Sequence, residues 1–113
     1  MIARVWRGWT SQANADAYEN LLREIILPSF TRIDGYRGGT IYRENRDQEK
    51  TEFMITNFFS SLEAVKAFAG QENYAVAVIE PEARALLTKV EPLAKHYEVK
   101  EAFLLDTLLN PSQ

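Results

Sequence analysis

The chain of 113 residues carries a formal net charge of −3, with 46% hydrophobic and 26% charged residues. This length and composition predict one folded domain with its own core. The acidic balance argues against a nucleic-acid surface, which needs clustered lysine and arginine. The absence of cysteine excludes disulfides, thiolate metal ligands and cysteine nucleophiles.

No segment of the sequence resembles a targeting or membrane segment. The stretch MIARVWRGWT lacks the apolar region of a signal peptide, and the longest apolar run, YAVAVI, is too short to cross a bilayer. We therefore expect a cytoplasmic protein that binds neither membrane nor nucleic acid. Arginines recur in the first half of the chain, beginning with Arg4 and Arg7, but acidic residues lie among them. Solvated faces are the expected place for these arginines.

The first two predicted elements are a strand and a helix. Residues 2–10 are rich in β-branched and aromatic residues, which predicts a strand. An amphipathic helix follows, because Ala17, Leu21 and Ile25 recur at every fourth position. Three residues flank them and widen the apolar stripe: Tyr18, Leu22 and Ile26. Pro28 is expected to end or kink this helix.

Two β-like runs, 35–45 and 50–59, are joined by the charged connection RDQE and predict a hairpin. Side chains alternate along a strand, so the second run places four residues on one face: Phe53, Ile55, Asn57 and Phe59. The other face receives three: Met54, Thr56 and Phe58. Since both faces are largely apolar, helices should cover one face and another body the other.

A second helix is predicted over residues 60–70. Ser60 and Glu63 have the spacing of a capping box, and Gly70 is a suitable C-terminal stop. Residues 73–87 predict two short helical pieces broken before Pro81.

Residues 94–103 predict a last strand, with His96 and Glu98 on one face and Tyr97 and Val99 on the other.

The order strand, helix, strand, strand, helix, strand is that of the ferredoxin-like α+β fold, βαββαβ, with an antiparallel sheet and two helices on one face. A second copy of the chain would cover the remaining face, so we expect a homodimer in which two sheets meet. Residues 1–101 form the predicted domain. Residues 102–113 form an apolar tail, for which the partner subunit is the candidate docking surface.

Four stretches stand in order along residues 1–101: MIARVWRG, FFSSLEAVKAFAGQE, IEPEARALL and HYEV. Together they resemble the antibiotic biosynthesis monooxygenase family of dimeric α/β barrels. The resemblance implies a small cytoplasmic dimer with a pocket between sheet and helices in each subunit. It also implies oxidation of aromatic polyketides to quinones by O₂, without bound flavin or metal. A related branch of the superfamily degrades haem.

Two departures from the family pattern bear on function. Phe59 stands where many members have a tryptophan just before the second helix, so an indole N–H that could hold a ligand is lost. The resemblance implies that haem-degrading members carry an asparagine in the first strand, a tryptophan in the second helix and a histidine shortly after it. At the matching positions this chain has Val5 or Trp6, then Phe68, and no histidine. Haem degradation is therefore disfavoured.

Oxygenation without a cofactor requires the substrate to supply the electrons. The protein then has to hold an electron-rich phenol, assist removal of its proton and exclude water. The candidate substrate-binding residues, mostly aromatic walls, are Trp6, Tyr42, Phe59, Phe68 and Tyr74; Phe58 and Tyr97 could add to the walls. The competing interpretation is that the aromatics are only core. We expect no cofactor and no metal.

Asn57 and His96 are the candidate catalytic residues. An amide on an apolar strand face must find a partner or cost about 1–3 kcal/mol. Asn57 could orient a substrate hydroxyl or stabilise an oxyanion, and it could equally bind backbone or buried water. His96, the only histidine, could accept a phenolic proton at neutral pH. It could equally be structural, hydrogen-bonded at the expected dimer face. A metal site is the weakest interpretation, because Glu98 would be its lone carboxylate partner.

These patterns leave two functions open. One is a cofactor-independent monooxygenase that oxidises a small aromatic molecule of polyketide or quinol type with O₂. The other is a non-catalytic dimer of the same fold that binds a small ligand or has a stress-related role.

Overall fold

Five strands form one antiparallel sheet in the computed structural model, which describes residues 1–46 and 49–104. They are β1 (Ile2–Thr10), β2 (Tyr36–Asn45), β3 (Thr51–Phe59), β4 (Leu87–Val90) and β5 (Lys95–Glu98). The order across the sheet is β2, β3, β1, β4, and β5 also pairs with β1. This is the predicted ferredoxin-like arrangement, with the fourth position shared by two short strands.

The split of the fourth strand is a difference from the prediction. β4 pairs with the C-terminal half of β1 and β5 with the N-terminal half. The connection between them turns away from β1 and pairs instead with an upstream segment. The Ala77 amide donates to the Pro92 carbonyl at 3.0 Å, and the Ala94 amide to the Ala75 carbonyl at 2.7 Å.

The same pairing explains why the helix predicted before Pro81 is absent. Backbone groups of Ala75 and Ala77 bond to the β4–β5 connection and are not available to a helix turn. Only α4 (Pro81–Arg84) forms in this region. The prediction of two helical pieces was therefore wrong for the first piece, and β4 was not predicted.

The first helical segment consists of several short turns in sequence. α1 (Gln12–Leu21) continues into a wider π-helical turn (Leu22–Ile26), then α2 (Leu27–Ser29) and a 3₁₀ turn (Phe30–Arg32). The wider turn directly precedes Pro28, which has no N–H and crowds the carbonyl four residues earlier in a regular helix. Pro28 thus alters the helix without ending it.

The buried face of this segment lies along the flank of the predicted stripe, at Tyr18, Leu22 and Ile26, and not at its centre. Its buried residues are Ala15, Tyr18, Leu22, Ile26 and Phe30. Ile25, assigned to the centre of the stripe, is 61% exposed. Both sets repeat every three or four residues, and only packing on the sheet decides between them.

α3 (Leu62–Ala69) is the second long helix, and its N-cap lies one residue later than the predicted N-cap, Ser60. Its N-cap is Ser61, whose Oγ accepts from the Ala64 amide at 3.2 Å, so the capping box that starts at Ser60 does not form. Gly70 ends the helix as expected, at φ 118°. None of the helices in the described residues is long and apolar enough to span a membrane.

The core lies between the helices and one sheet face. The rings of Tyr18 and Phe53 meet edge to face at 4.9 Å, and a second cluster contains Phe59 and Val65, both fully buried. Residues 105–113 of the predicted tail lie outside the described residues, and its docking stays a prediction. Phe103, within the tail, is exposed.

Candidate functional site

A small cavity of about 50 Å³ lies between the sheet, the first helical segment and the irregular chain before α4. Its walls are mostly apolar, with four polar side chains among them. The lining residues are Arg4, Trp6, Tyr18, Leu22, Ile26, Leu27, Phe30, Ile55, Asn57, Phe68, Ala77, Val78, Ile79, Glu80 and Ala83. An apolar pocket with a few convergent polar groups is the usual form of a small-molecule site.

Arg4 is the most deeply buried charge of the site, at 4% exposure. Strand alternation turns it toward the helices, and the sheet register sets it between Asn57 on β3 and His96 on β5. Nη1 donates to the Tyr74 carbonyl, and Nη2 donates to the Val76 carbonyl at 2.9 Å. Arg4 makes no ion pair with a carboxylate of the described residues, and burial lowers the pKa of its guanidinium. The expectation of a solvated face is wrong for this arginine.

The Arg4 guanidinium also lies close to two rings. Its Cζ is 5.6 Å from the centroid of Phe68, within the range of a cation–π contact. Nη1 is 3.0 Å from Nε2 of His96. An arginine N–H can only donate, so Nε2 accepts, and the neutral imidazole carries its proton on Nδ1.

His96 is held neutral by its surroundings. Burial, followed by the charge of Arg4, lowers the pKa of the imidazole. Its ring lies edge-on to Tyr74 at 5.3 Å. The side chain is on the face of the sheet that the helices cover, so its predicted place at the dimer face was wrong.

Asn57 forms a buried pair with Tyr36. The Tyr36 hydroxyl donates to Oδ1 of Asn57 at 2.8 Å, and burial raises the pKa of Tyr36 to about 12, so the hydroxyl keeps its proton at neutral pH. Gly39 opposite makes room, since a Cβ there would lie 2.7 Å from Oδ1 and from the hydroxyl oxygen. The amide N–H groups of Asn57 have no partner among the described residues.

Glu80 is the second charged residue of the cavity wall. Burial raises the pKa of its carboxyl group, and the charge of Glu82 acts in the same direction. Burial and the charge of Glu80 together raise the pKa of the Tyr18 hydroxyl. A half-buried carboxylate with a raised pKa is a suitable proton acceptor for an acidic phenol.

Some of the predicted site residues meet at this cavity. Trp6, Asn57 and Phe68 line it, although the Trp6 indole already donates to the Glu91 carbonyl at 2.7 Å. His96 does not line the cavity and reaches it only through Arg4.

Three of the five candidate substrate-binding residues lie elsewhere. The Phe59 side chain is fully buried in the second core cluster. The Tyr74 ring packs on His96 outside the cavity, and only its carbonyl reaches Arg4. Tyr42 pairs with Met54 on the opposite sheet face and is 50% exposed.

Sequence reasoning missed Arg4 and Glu80. The sequence did contain a signal for Arg4. It stands two residues before Trp6 on the predicted first strand, so the two side chains lie on the same face. Glu80 precedes Pro81 in a segment that was predicted to be helical, and its place on the wall depends on long-range pairing that the sequence does not display.

Comparison with solved structures places this geometry in a known fold. A structure from Deinococcus radiodurans, provisionally described as an antibiotic biosynthesis monooxygenase, superposes with a TM-score of 0.63 at 18% identity, covering 93% of this chain and 98% of that one. The chain has the same fold. A second, from Bacillus cereus and with the same provisional description, gives a TM-score of 0.60 at 12% identity, covering 92% and 97%. No family profile and no curated protein sequence matches the chain.

Proposed function

We propose that this protein is a cofactor-independent monooxygenase that oxidises an electron-rich aromatic small molecule with O₂ and works as a cytoplasmic homodimer. The observation that carries the proposal is the buried charge of Arg4 in a mainly apolar cavity, beside the amide N–H groups of Asn57, which have no partner in residues 1–46 and 49–104. The fold shared with two proteins provisionally described as monooxygenases adds support.

The chemistry needs an anion that gives electrons to O₂. Loss of a proton from a phenol or anthrone produces a phenolate or enolate, which is far easier to oxidise than its conjugate acid. A guanidinium in a low-dielectric site stabilises that developing negative charge. With an anthrone, O₂ supplies one oxygen atom to the new carbonyl, and the second leaves as water with the two hydrogens of the methylene group.

Two residues are candidates for the proton acceptor. The Nε2 lone pair of His96 is engaged by Arg4, and protonation there would set an imidazolium against a guanidinium. Glu80 lines the cavity and has a raised pKa. The proposal therefore assigns proton acceptance to Glu80, and it assigns to His96 the positioning of Arg4.

Oxygen uptake with a panel of naphthols and anthrones tests the function. Labelled O₂ should place one labelled oxygen in the product and the other in water. Glu80→Gln should lower turnover by about 10²-fold or more, the usual contribution of a positioned base, and His96→Gln by less. Glu24→Gln is the matched control, because Glu24 is exposed on the first helical segment and does not line the cavity. Oxygen uptake that survives intact in Glu80→Gln contradicts its role.

The size of the cavity favours a second candidate, a non-catalytic ligand-binding dimer. At about 50 Å³ the cavity is smaller than the engineered apolar cavity of roughly 150 Å³ that binds benzene. An aromatic ligand must therefore displace part of the wall. Saturable binding of naphthols without any oxygen uptake, in air and with labelled O₂, would select this function over the monooxygenase.

A further inference from the structure

We propose that Arg4 is an anion-binding residue and that the cavity selects aromatic ligands that present one anionic oxygen group to it, a phenolate or enolate of the substrate or the carboxylate of a probe. The proposal narrows the substrate class of the proposed function, and it rests on that function only for the claim that the bound ligand is oxidised. Its basis is the bonding of Arg4 and of the chain segment that closes over it.

The guanidinium has unused donors as well as an uncompensated charge. Three of the five N–H groups of an arginine are engaged, by two backbone carbonyls and by His96. The remaining two, one of them the Nε–H, have no partner among the described residues. A buried cation held only by neutral dipoles is strongly favoured to accept a counter-charge. A carboxylate matches the planar donor fork of arginine and can accept two parallel hydrogen bonds from it.

The segment over Arg4 gives a reason for selectivity against neutral ligands. Its carbonyls at Tyr74 and Val76 bind the guanidinium, and the residues that follow, 77–80, form part of the cavity wall. A ring larger than the cavity displaces this segment, and Arg4 then loses carbonyl partners. An anionic group replaces those bonds with stronger, charge-assisted ones, whereas a neutral ring leaves the charge exposed to an apolar surrounding.

The remaining side chains of the cavity define the rest of the ligand. Phe30, Phe68 and Ile26 offer an apolar, partly aromatic wall for a ring. Glu80, which forms no ion pair with Arg4, would repel a second negative group. The ligand class is therefore an aromatic monoanion whose acidic group lies at Arg4.

Two matched pairs of probes test the selectivity. They are benzoate against benzamide and 2-naphthoate against 2-naphthamide, each pair similar in shape and different in charge. Equilibrium dialysis with wild-type protein should show each carboxylate binding at least about tenfold more tightly than its amide, since hydrogen bonds to charged groups contribute that much. Amides that bind as well as carboxylates overturn the proposal, and so does failure of both carboxylates to bind at about 1 mM.

Variants identify the residue responsible. Arg4→Gln should abolish the preference while retaining amide binding, and Arg4→Lys should keep part of it, because lysine preserves the charge without the planar fork. Arg37→Gln removes an exposed arginine that does not line this cavity and should keep the full preference. If Arg4→Gln does not fold, Arg4→Lys takes its place. A carboxylate preference that is undiminished in Arg4→Lys contradicts the assignment. Loss of the preference in Arg37→Gln contradicts it as well.

The two proposals fail separately. Carboxylate selectivity that depends on Arg4, without oxygen uptake on any acidic naphthol or anthrone, keeps the anion site and removes the monooxygenase. Oxygen uptake on naphthols together with equal binding of amide and carboxylate keeps the monooxygenase and removes the anion site.

Discussion

Arg4 and His96 face each other across paired strands β1 and β5, with Nη1 of the arginine 3.0 Å from Nε2 of the histidine. The contact requires an imidazole without a proton on Nε2, because arginine supplies only donors. The only histidine of the chain thus acts as a hydrogen-bond acceptor for a buried cation. Protonation of His96 would replace this bond with repulsion between two cations.

The first prediction concerns stability and pH. The imidazole of the unfolded chain titrates near 6.5, and burial and Arg4 lower the pKa in the folded state. At pH values between the folded and unfolded pKa of His96, the unfolded chain binds more protons than the folded chain does. The contribution of His96 is therefore complete above about pH 6.5 and is lost as pH falls through the folded pKa. Urea unfolding of the wild type between about pH 8 and pH 5 should show this loss, and His96→Gln should reduce it.

Glu80 provides the internal comparison for that experiment. Its carboxyl pKa is raised by burial, so its contribution has the opposite sign, present at low pH and lost as pH rises through its folded pKa. Glu80→Gln should therefore steepen the acid loss, while His96→Gln flattens it. Equal pH profiles for the wild type and His96→Gln would show that the contact with Arg4 does not control the titration.

The second prediction addresses the pair of Tyr36 and Asn57. Asn57→Leu leaves the buried tyrosine hydroxyl without an acceptor and should lower the free energy of unfolding by about 1–3 kcal/mol. Tyr36→Phe should cost a similar amount. The double variant, with two apolar groups, should lose less than the sum of the single losses. If the loss in the double variant equals the sum of the two single losses within roughly 0.5 kcal/mol, the hydrogen bond between Tyr36 and Asn57 contributes no coupling energy.

Turnover in the same variants decides whether Asn57 also acts on a substrate. Tyr36→Phe keeps the amide N–H groups of Asn57, a residue of the cavity wall, whereas Asn57→Leu removes them. If Asn57 orients a substrate oxygen, turnover should fall much further in Asn57→Leu than in Tyr36→Phe. The two turnover numbers are compared at a temperature where both variants are fully folded. Equal losses would assign Asn57 a structural role.

Strand alternation explains what the sequence predicts well. Phe53, Ile55, Asn57 and Phe59 share the helix-covered face, as predicted, because the two-residue period of a strand does not depend on the rest of the fold. Asn57 could be recognised as a candidate on that basis. Its partner Tyr36 could not, because the pairing register of β2 is set by a bulge between Tyr36 and Gly38.

The buried position of Arg4 depends on long-range contacts. Its acceptors at Tyr74 and Val76 are about seventy residues away in sequence, and they belong to a segment whose local pattern favours a helix. That segment becomes irregular because it bonds to the connection between β4 and β5. Local propensity is overridden there by tertiary pairing, and the cavity wall is built at that point.

The third prediction compares two neighbouring glycines. A methyl group at Gly39 would contact the Tyr36 hydroxyl and Asn57 Oδ1 at 2.7 Å, so Gly39→Ala should displace the pair and lower both stability, by about 1–3 kcal/mol, and turnover. At Gly38 nothing lies within 4 Å, but φ is 129°. Gly38→Ala should strain the backbone and leave turnover per folded molecule unchanged. Equal turnover in both variants contradicts the importance of the pair.

The last prediction concerns the sheet face opposite the cavity. Alternation turns Val5, Trp9, Met54 and Phe58 to this face, and each is half-buried within one chain. Arg7 lies on the same face, opposite Met54, and forms an ion pair with Glu91. We expect a second copy to cover the face, since half-buried apolar residues gathered on one sheet face usually mark an interface. Light scattering at micromolar concentration should give the mass of a dimer.

Phe58→Glu should give a monomer, because each of the two copies would bury an unpaired carboxylate. Ile25→Glu is the control: Ile25 is exposed on the first helical segment, and its substitution should keep the dimer. A monomeric wild type would leave the apolar character of this face unexplained, and a dimer in Phe58→Glu would show that the contact lies elsewhere.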